Sequence, residues 1–314
     1  MSRADVRYVF PAHLEGKMKS KAWTEKFMQG VFFVAACASV LAVILICVFL
    51  FANGIPAMRE IGFVKFITGE IWRPGSDQFG ILPMIVGSLY VTAGAIIFGV
   101  PIGILTSVFM AMYCPKRIYK PLKAATELLA GIPSVIYGFF GIVVVVPIIR
   151  DFGQTLRSAG IVKTAGDGNS ILTASLILGM MILPTIIGTT ESAMRAVPAH
   201  YYEGSLALGA TKERSIFRVI IPAAKSGVIA GIVLGIGRAI GETMAVIMIV
   251  GNQARLTGSI LQGIRTLTGN IVIEMGYATG LHREALIATG VVLFVFILII
   301  NFSVALLKRG ADHE

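Results

Sequence analysis

The sequence predicts an all-α protein that crosses a membrane six times, and three observations predict it. The 314 residues are 56% hydrophobic and only 14% charged, with a mean hydropathy of +0.83, against roughly 25% charged in soluble proteins. A soluble interior of this size could not hide so much apolar surface. Six long apolar stretches, approximately 30–53, 80–114, 128–149, 171–190, 227–251 and 285–307, each meet the ~20 residues a helix needs to cross ~30 Å of hydrocarbon. Seventeen Lys and Arg fall in the tails and even-numbered connections against nine in the odd-numbered ones, which predicts that both termini face the cytoplasm. Disorder, collagen, coiled coil and a disulfide scaffold are excluded by the same composition.

The first stretch is too long, behind a 29-residue polar lead, for a secretory signal, so it reads as an uncleaved helix. Within the lead, 21–28 suits a short interfacial helix. The second stretch needs tilt, a kink at Pro101 or an interfacial start near Pro83 to fit the bilayer. This gives a cytoplasmic tail over 1–29, a six-helix body over 30–307 and a second tail over 308–314. The connections after the third and fifth spans are long enough to hold some folded structure outside. Net charge is +10, but no basic patch interleaved with aromatics is present, so topology explains the charge and nucleic acid is not expected. Cys37, Cys47 and Cys114 read as small apolar residues.

The connection between the fourth and fifth spans reads TTESAMRAVPAHYYEGSLALGATKERSIFRVIIPAAKSG. Up to Leu208 its apolar residues suit a short amphipathic helix along the membrane surface. Gly209 is suited to reverse the chain with a positive φ, Thr211 to cap a second short helix, and Pro222 to begin the next element. Two short helices at an angle form a knob for a soluble partner; an ordinary interfacial loop is the alternative.

The fifth span, GVIAGIVLGIGRAIGETMAVIMIVG, carries Arg238 and Glu242 in a run otherwise without charge. A charge at membrane depth costs about 2.5–3.5 kcal/mol on insertion scales, so it points to function. On a continuous helix the two would share a face and partly neutralise each other. Gly231, Gly235, Arg238, Glu242 and Ala245 would then form one stripe facing protein or a water-filled path. A purely structural ion pair is the other reading.

The spacing of Glu203, Gly209 and Ile221-Pro222 resembles the EAA loop of ABC-importer permeases, with Gly204 and Ser205 in place of the two alanines, Val219 for the isoleucine and Ile221 for the leucine. The resemblance implies a type I importer permease whose loop over about 196–225 docks on an ATP-hydrolysing subunit. Coupling would then fall to Glu203, Gly209, Ile221 and Pro222. GIGRAIGETMAVIMIVGN, GIPSVIYGFFG and the closing GLHREALIATGVVLFVFILIINF are similar to a narrower family, the PstC permeases of phosphate-specific importers. That resemblance implies a bacterial inner-membrane protein with four kinds of partner chain or surface: a PstA-like second permease, two PstB-like ATPases holding ATP and magnesium, a PstS-like external phosphate-binding protein, and lipid. It places Arg238 and Glu242 on the substrate pathway, with Ser134 and Tyr137 as hydroxyl-bearing neighbours. A guanidinium fork suits phosphate oxygens, and Glu242 would offer Arg238 a competing partner that allows release.

The chain carries no phosphate-cradling GxxxxGK[ST] loop, no HExxH and no strand-borne dinucleotide motif. It is therefore expected to hold no catalytic residue, cofactor or metal. A permease for sulfate, molybdate or a phosphonate, and a scaffold for signalling phosphate sufficiency, are the alternatives.

Overall fold

The computed structural model describes the backbone of residues 12–311 and the side chains of 25–302. The chain divides into two compact units, 1–52 and 53–314. Helix α1, Ala12–Ile61, begins in the first and ends in the second. It is continuous through 21–28, so the separate interfacial helix expected there is absent. Its residues from Phe27 to Phe49 are mostly exposed and apolar on every side, as expected of a span that faces lipid.

The larger unit continues with α2 (Phe63–Thr68) and a short antiparallel hairpin, β1 (Trp72–Arg73) with β2 (Gln78–Phe79), pairing Trp72 with Phe79. Helix α3 (Leu82–Val108) runs into a π-helical turn at Phe109–Tyr113. Helix α4 (Lys116–Gly131) follows, then α5 (Ser134–Phe140), a π turn at Gly141–Val145, and α6 (Val146–Ser158), the last three forming one span. Helix α7 (Ile171–Ala196) leads into α8 (Ala199–Ala207) and α9 (Lys212–Ser215). A π turn at Ile216–Ile220 joins α9 to α10 (Ile221–Ala223). Helices α11 (Lys225–Gly241), α12 (Met244–Ile249), α13 (Leu267–Glu274) and α14 (Gly280–Ala311) complete the unit. Among the described residues five helices are long and apolar enough to cross a membrane, six if the bent pair Lys212–Ala223 and Lys225–Gly241 forms one span.

Two expected spans are displaced. The third begins at Ser134 and extends to Ser158, whereas the sequence suggested 128–149, because Pro133 separates it from α4. The ring of Pro133 disfavours helical geometry at Ile132, which is extended at φ −68°, ψ 125°. The fifth is preceded by a 71° bend at Ala224 and is itself broken at Glu242–Thr243, where Glu242 is extended.

Helix α7 is the centre of the unit, buried along most of its length. Lipid tails are as apolar as leucine, so helices in a bilayer are held by close packing, for which small residues make room. Here the room comes from two sides. A Cβ built on Gly99 or Gly103 of α3 would lie 2.7 or 2.8 Å from Ile182 or Ile186 of α7. One built on Gly231 or Gly235 of α11 would lie 3.1 Å from Thr190 or Ile186. Ile177, Leu178, Met181, Ile182 and Ile186 are 2% exposed or less and share one core with Val91, Ala239, Val246 and Ile249.

The glycine contacts predict a contrast. Gly103→Val should lower stability by about 1–3 kcal/mol through overpacking. Gly188→Ala, where an added Cβ meets nothing within 4 Å, should be neutral or stabilising by about 0.5–1 kcal/mol. Thermal unfolding of the purified protein in detergent checks both.

Candidate functional site

The loop between α7 and α11 is built from local signals. Helix α8 ends with Gly209 at φ 83°, the Gly209 amide donating to the Leu206 carbonyl and the Ala210 amide to that of Ser205. This is a Schellman closure, which an L side chain at Gly209 would strain. Thr211 Oγ1 accepts from the Arg214 amide at 3.3 Å and so caps α9. The hydroxyls of Ser205 and Ser215 meet at 2.9 Å and tie α8 to the last residue of α9. Lys212 Nζ sits 4.2 Å from the centre of the Tyr113 ring at the end of the second span. Glu203, Gly209 and Pro222 are exposed and Ile221 half-buried, while Leu208 stands 91% exposed at the tip. An open cavity of about 310 Å³ lies between the end of α7 and the bend, lined by Val197, Pro198, Tyr201, Ala224 and Gly227 among others.

Arg238 and Glu242 do not share a helix face. Helix α11 stops at Gly241, and Glu242 is extended at φ −69°, ψ 131°. Among the described residues Arg238 makes no ion pair; its Nη1 donates to Thr185 Oγ1 of α7 at 3.4 Å. Glu242 Oε1 accepts from the Ala245 amide at 3.1 Å, satisfying an open donor in the first turn of α12, and its carbonyl accepts from Thr268 Oγ1 at 3.2 Å. The four-residue spacing expected to pair the charges instead straddles a helix break. Beside Glu242 lies a narrow crevice carrying the hydroxyls of Ser88, Thr92, Thr266 and Thr268, which no local pattern in the sequence marks. Ser134 is half-buried at the start of α5. Tyr137 is 7% exposed, and its hydroxyl donates to the Leu129 carbonyl at 2.9 Å across the α4–α5 break.

Two further charge clusters escaped the sequence reading. In the first, Glu191 near the end of α7 is 1% exposed and bonded to three side chains. Its Oε1 accepts from Tyr119 Oη at 2.6 Å and from Arg195 Nε at 2.6 Å, and its Oε2 from Lys123 Nζ at 2.8 Å. Arg195 Nη2 also donates to the Met110 carbonyl at 2.8 Å, and the guanidinium lies 4.4 Å from the centre of the Tyr119 ring. The bond to Glu191 holds both Lys123 and Tyr119 above their ordinary values, so the lysine stays charged and the phenol neutral near pH 7. An acid directly after the apolar run 171–190 was the available signal.

In the second, Glu274 at the end of α13 accepts from Arg265 Nη1 at 2.5 Å and from Trp72 Nε1 at 2.8 Å, and meets His282 Nε2 at 2.8 Å. Phe79 stacks on His282 with ring centres 6.1 Å apart. The cluster gathers the hairpin, α13 and the start of α14, with Trp72 and Glu274 bonded across 202 residues of sequence. Among the described residues no three His, Cys, Asp or Glu side chains are placed to share a metal ion.

A bundle of broken spans around one buried helix, with a capped helical knob on the loop that leaves it, defines a membrane-embedded transport subunit. The chain belongs to the family described as binding-protein-dependent transport system inner membrane component, whose model matches residues 99–313. It is 37% identical over 287 residues to the probable ABC transporter permease protein YqgH of Bacillus subtilis, covering 88% of this chain and 90% of that one. It is 35% identical over 276 residues to the phosphate transport system permease protein PstC of Mesorhizobium japonicum, covering 84% of each. A bacterial ABC transporter involved in the import of the acidic polysaccharide alginate contains a chain of the same fold, with a TM-score of 0.59 at 16% identity, covering 92% of this chain and 98% of that one. The protein is thus a multi-span permease subunit with the type I ABC importer fold, and its part in the complex is transport.

The Glu274 cluster yields a prediction. Glu274→Ala leaves the part-buried Arg265 with only the Asn252 carbonyl and Asn270 Oδ1 as acceptors, which should cost about 1.5–3 kcal/mol. It also removes the indole's acceptor. In a Trp23→Phe background Trp72 emission should shift to longer wavelength, and thermal unfolding in detergent should begin earlier.

Proposed function

We propose that this chain carries inorganic phosphate across the bacterial cytoplasmic membrane by alternating access, driven by ATP hydrolysed in partner subunits. The observation that carries the reading is Arg238. It is a half-buried guanidinium in an apolar span, held among the described residues only by a hydroxyl. Such a group is expensive to keep in a bilayer and suits a tetrahedral oxyanion, whose oxygens match its fork. The phosphate-permease names of its relatives support the same substrate.

In this reading Arg238 receives the anion between α7 and α11, with Thr185 holding the guanidinium in place. Glu242 acts first as the cap of α12, fixing the break beside which the anion passes, and competes for Arg238 only when the break closes. Ser134, Tyr137 and the hydroxyl crevice at Ser88, Thr92, Thr266 and Thr268 offer neutral donors along the way. The knob of α8 and α9, with Glu203, Gly209, Ile221 and Pro222, docks on an ATPase subunit, and the exposed Leu208 supplies its apolar tip. The complete importer holds a second, homologous permease, two ATPases binding ATP and magnesium, and an external phosphate-binding protein. Both termini and the α8–α9 loop face the cytoplasm, following the excess of Lys and Arg on that side. The Glu274 cluster then lies on the outer face.

Radiolabelled phosphate uptake tests the reading, with membrane levels checked and sulfate and molybdate as competitors. Arg238→Gln should abolish uptake, and Arg238→Lys, which keeps charge but loses the fork, should cost about tenfold or more. Excess sulfate or molybdate should not compete. Uptake retained in Arg238→Gln would reduce the arginine to a structural role. Competition by sulfate or molybdate would move the substrate to another oxyanion.

A further inference from the structure

We infer that Glu191 is a positioning residue that makes α4 and the end of α7 one rigid piece, so that motion of the α8–α9 loop reaches the neighbourhood of Arg238. The inference rests on the transport reading above and adds the route by which the loop acts.

The geometry is specific. One buried carboxylate fills both oxygens with charged or phenolic donors from two helices, Tyr119 and Lys123 of α4 and Arg195 of α7. Arg195 adds the second span through the Met110 carbonyl. Three residues separate Arg195 from the first residue of α8, so a displacement of α8 must be borne by the group that clamps Glu191. At its other end α4 is fixed again, by the bond from Tyr137 Oη to the Leu129 carbonyl. Thr185, six residues before Glu191 on the same helix, accepts from Arg238 Nη1 at 3.4 Å. The chain of fixed groups therefore runs from α8 through Arg195 and Glu191 along α7 to the mid-membrane arginine, with α4 clamped beside it. An ordinary surface ion pair would not do this, because exposed pairs hold their side chains loosely and contribute little. Glu191 is 1% exposed, and a carboxylate shared by several donors in one buried network has a single arrangement.

A structural anchor alone would change how much complex assembles. A coupling device changes how much substrate moves per ATP. The test is the reconstituted importer in vesicles, with this chain, its second permease, the ATPases and the external binding protein. Phosphate uptake and binding-protein-stimulated ATP hydrolysis are measured on the same vesicles.

The unaltered complex must first accumulate phosphate; failure at that step overturns the substrate reading, whereas failure of the variants alone overturns only the coupling role of Glu191. Given uptake, Glu191→Gln, which keeps shape and loses charge, should lower phosphate moved per ATP by about fivefold or more while hydrolysis continues. Lys123→Met should lower the ratio in the same direction, and Lys123→Arg should restore it. The lysine side chain is 29% exposed, so its variants decide the matter if Glu191→Gln fails to assemble. An unchanged ratio in Lys123→Met and in any assembled Glu191→Gln complex overturns the inference. So does a parallel fall of uptake and hydrolysis in both.

Discussion

Moving a leucine from lipid to a neighbouring helix gains almost nothing, so a membrane bundle is held by surfaces that approach closely enough for dispersion to count. In this protein those surfaces meet on one helix. Ile182 and Ile186 of α7 press into the gaps left by Gly99 and Gly103 on one side, and Ile186 into that left by Gly235 on the other. The consequence reaches the middle of the helix and its C-terminal end. Thr185, between the two isoleucines, is the group that Arg238 touches, and Glu191, one turn and a half further on, is the group that α4 is tied to. Fixing α7 thus fixes the reference against which the broken helices around it can shift.

The second constraint is backbone hydrogen bonding. Hydrocarbon supplies no water to an open amide or carbonyl, so each break in a span must be closed by something else. Three side chains supply such bonds here, and two of them, Glu242 and Tyr137, are residues that the sequence marks as functional. Glu242 satisfies the Ala245 amide, Tyr137 the Leu129 carbonyl, and Arg195 the Met110 carbonyl. Each residue therefore joins two pieces of helix. A group with that role senses any change in angle between the pieces, because its bond survives only a narrow range of geometry.

Legibility in the sequence followed the range of the interactions. The second, fourth and sixth spans were readable because a long apolar run is a local property, and the α8–α9 loop because Gly209, Thr211 and Pro222 act on their immediate neighbours. The third span was misplaced because hydropathy continues through Ile132-Pro133. The proline was the better guide, since it restricts the residue before it whatever the hydropathy. Pairing Arg238 with Glu242 presupposed an unbroken helix, and nothing in Gly241-Glu242-Thr243 announces the break as strongly as a proline would. Glu274 could not have been placed with Trp72, Arg265 and His282 at all, because their meeting depends on how the hairpin, α13 and α14 are arranged in space.

The break also changes how the arginine is understood. A guanidinium paired with an acid four residues away would be largely neutralised at rest, and an arriving anion would have to displace that acid. With the acid occupied at the start of α12, an anion arriving on the proposed pathway would compete, among the described residues, with a hydroxyl at 3.4 Å, a long and weak bond. Binding at Arg238 in this conformation would then be opposed mainly by the anion's own hydration, and release would require a conformation in which another acceptor approaches. The break beside Glu242 is the place where such an approach involves the least rearrangement. Straightening Gly241–Thr243 would free the carboxylate from the Ala245 amide and return it to the face it shares with Arg238 on a continuous helix. On this argument the helix break and the ion pair expected from the sequence are two states of one device.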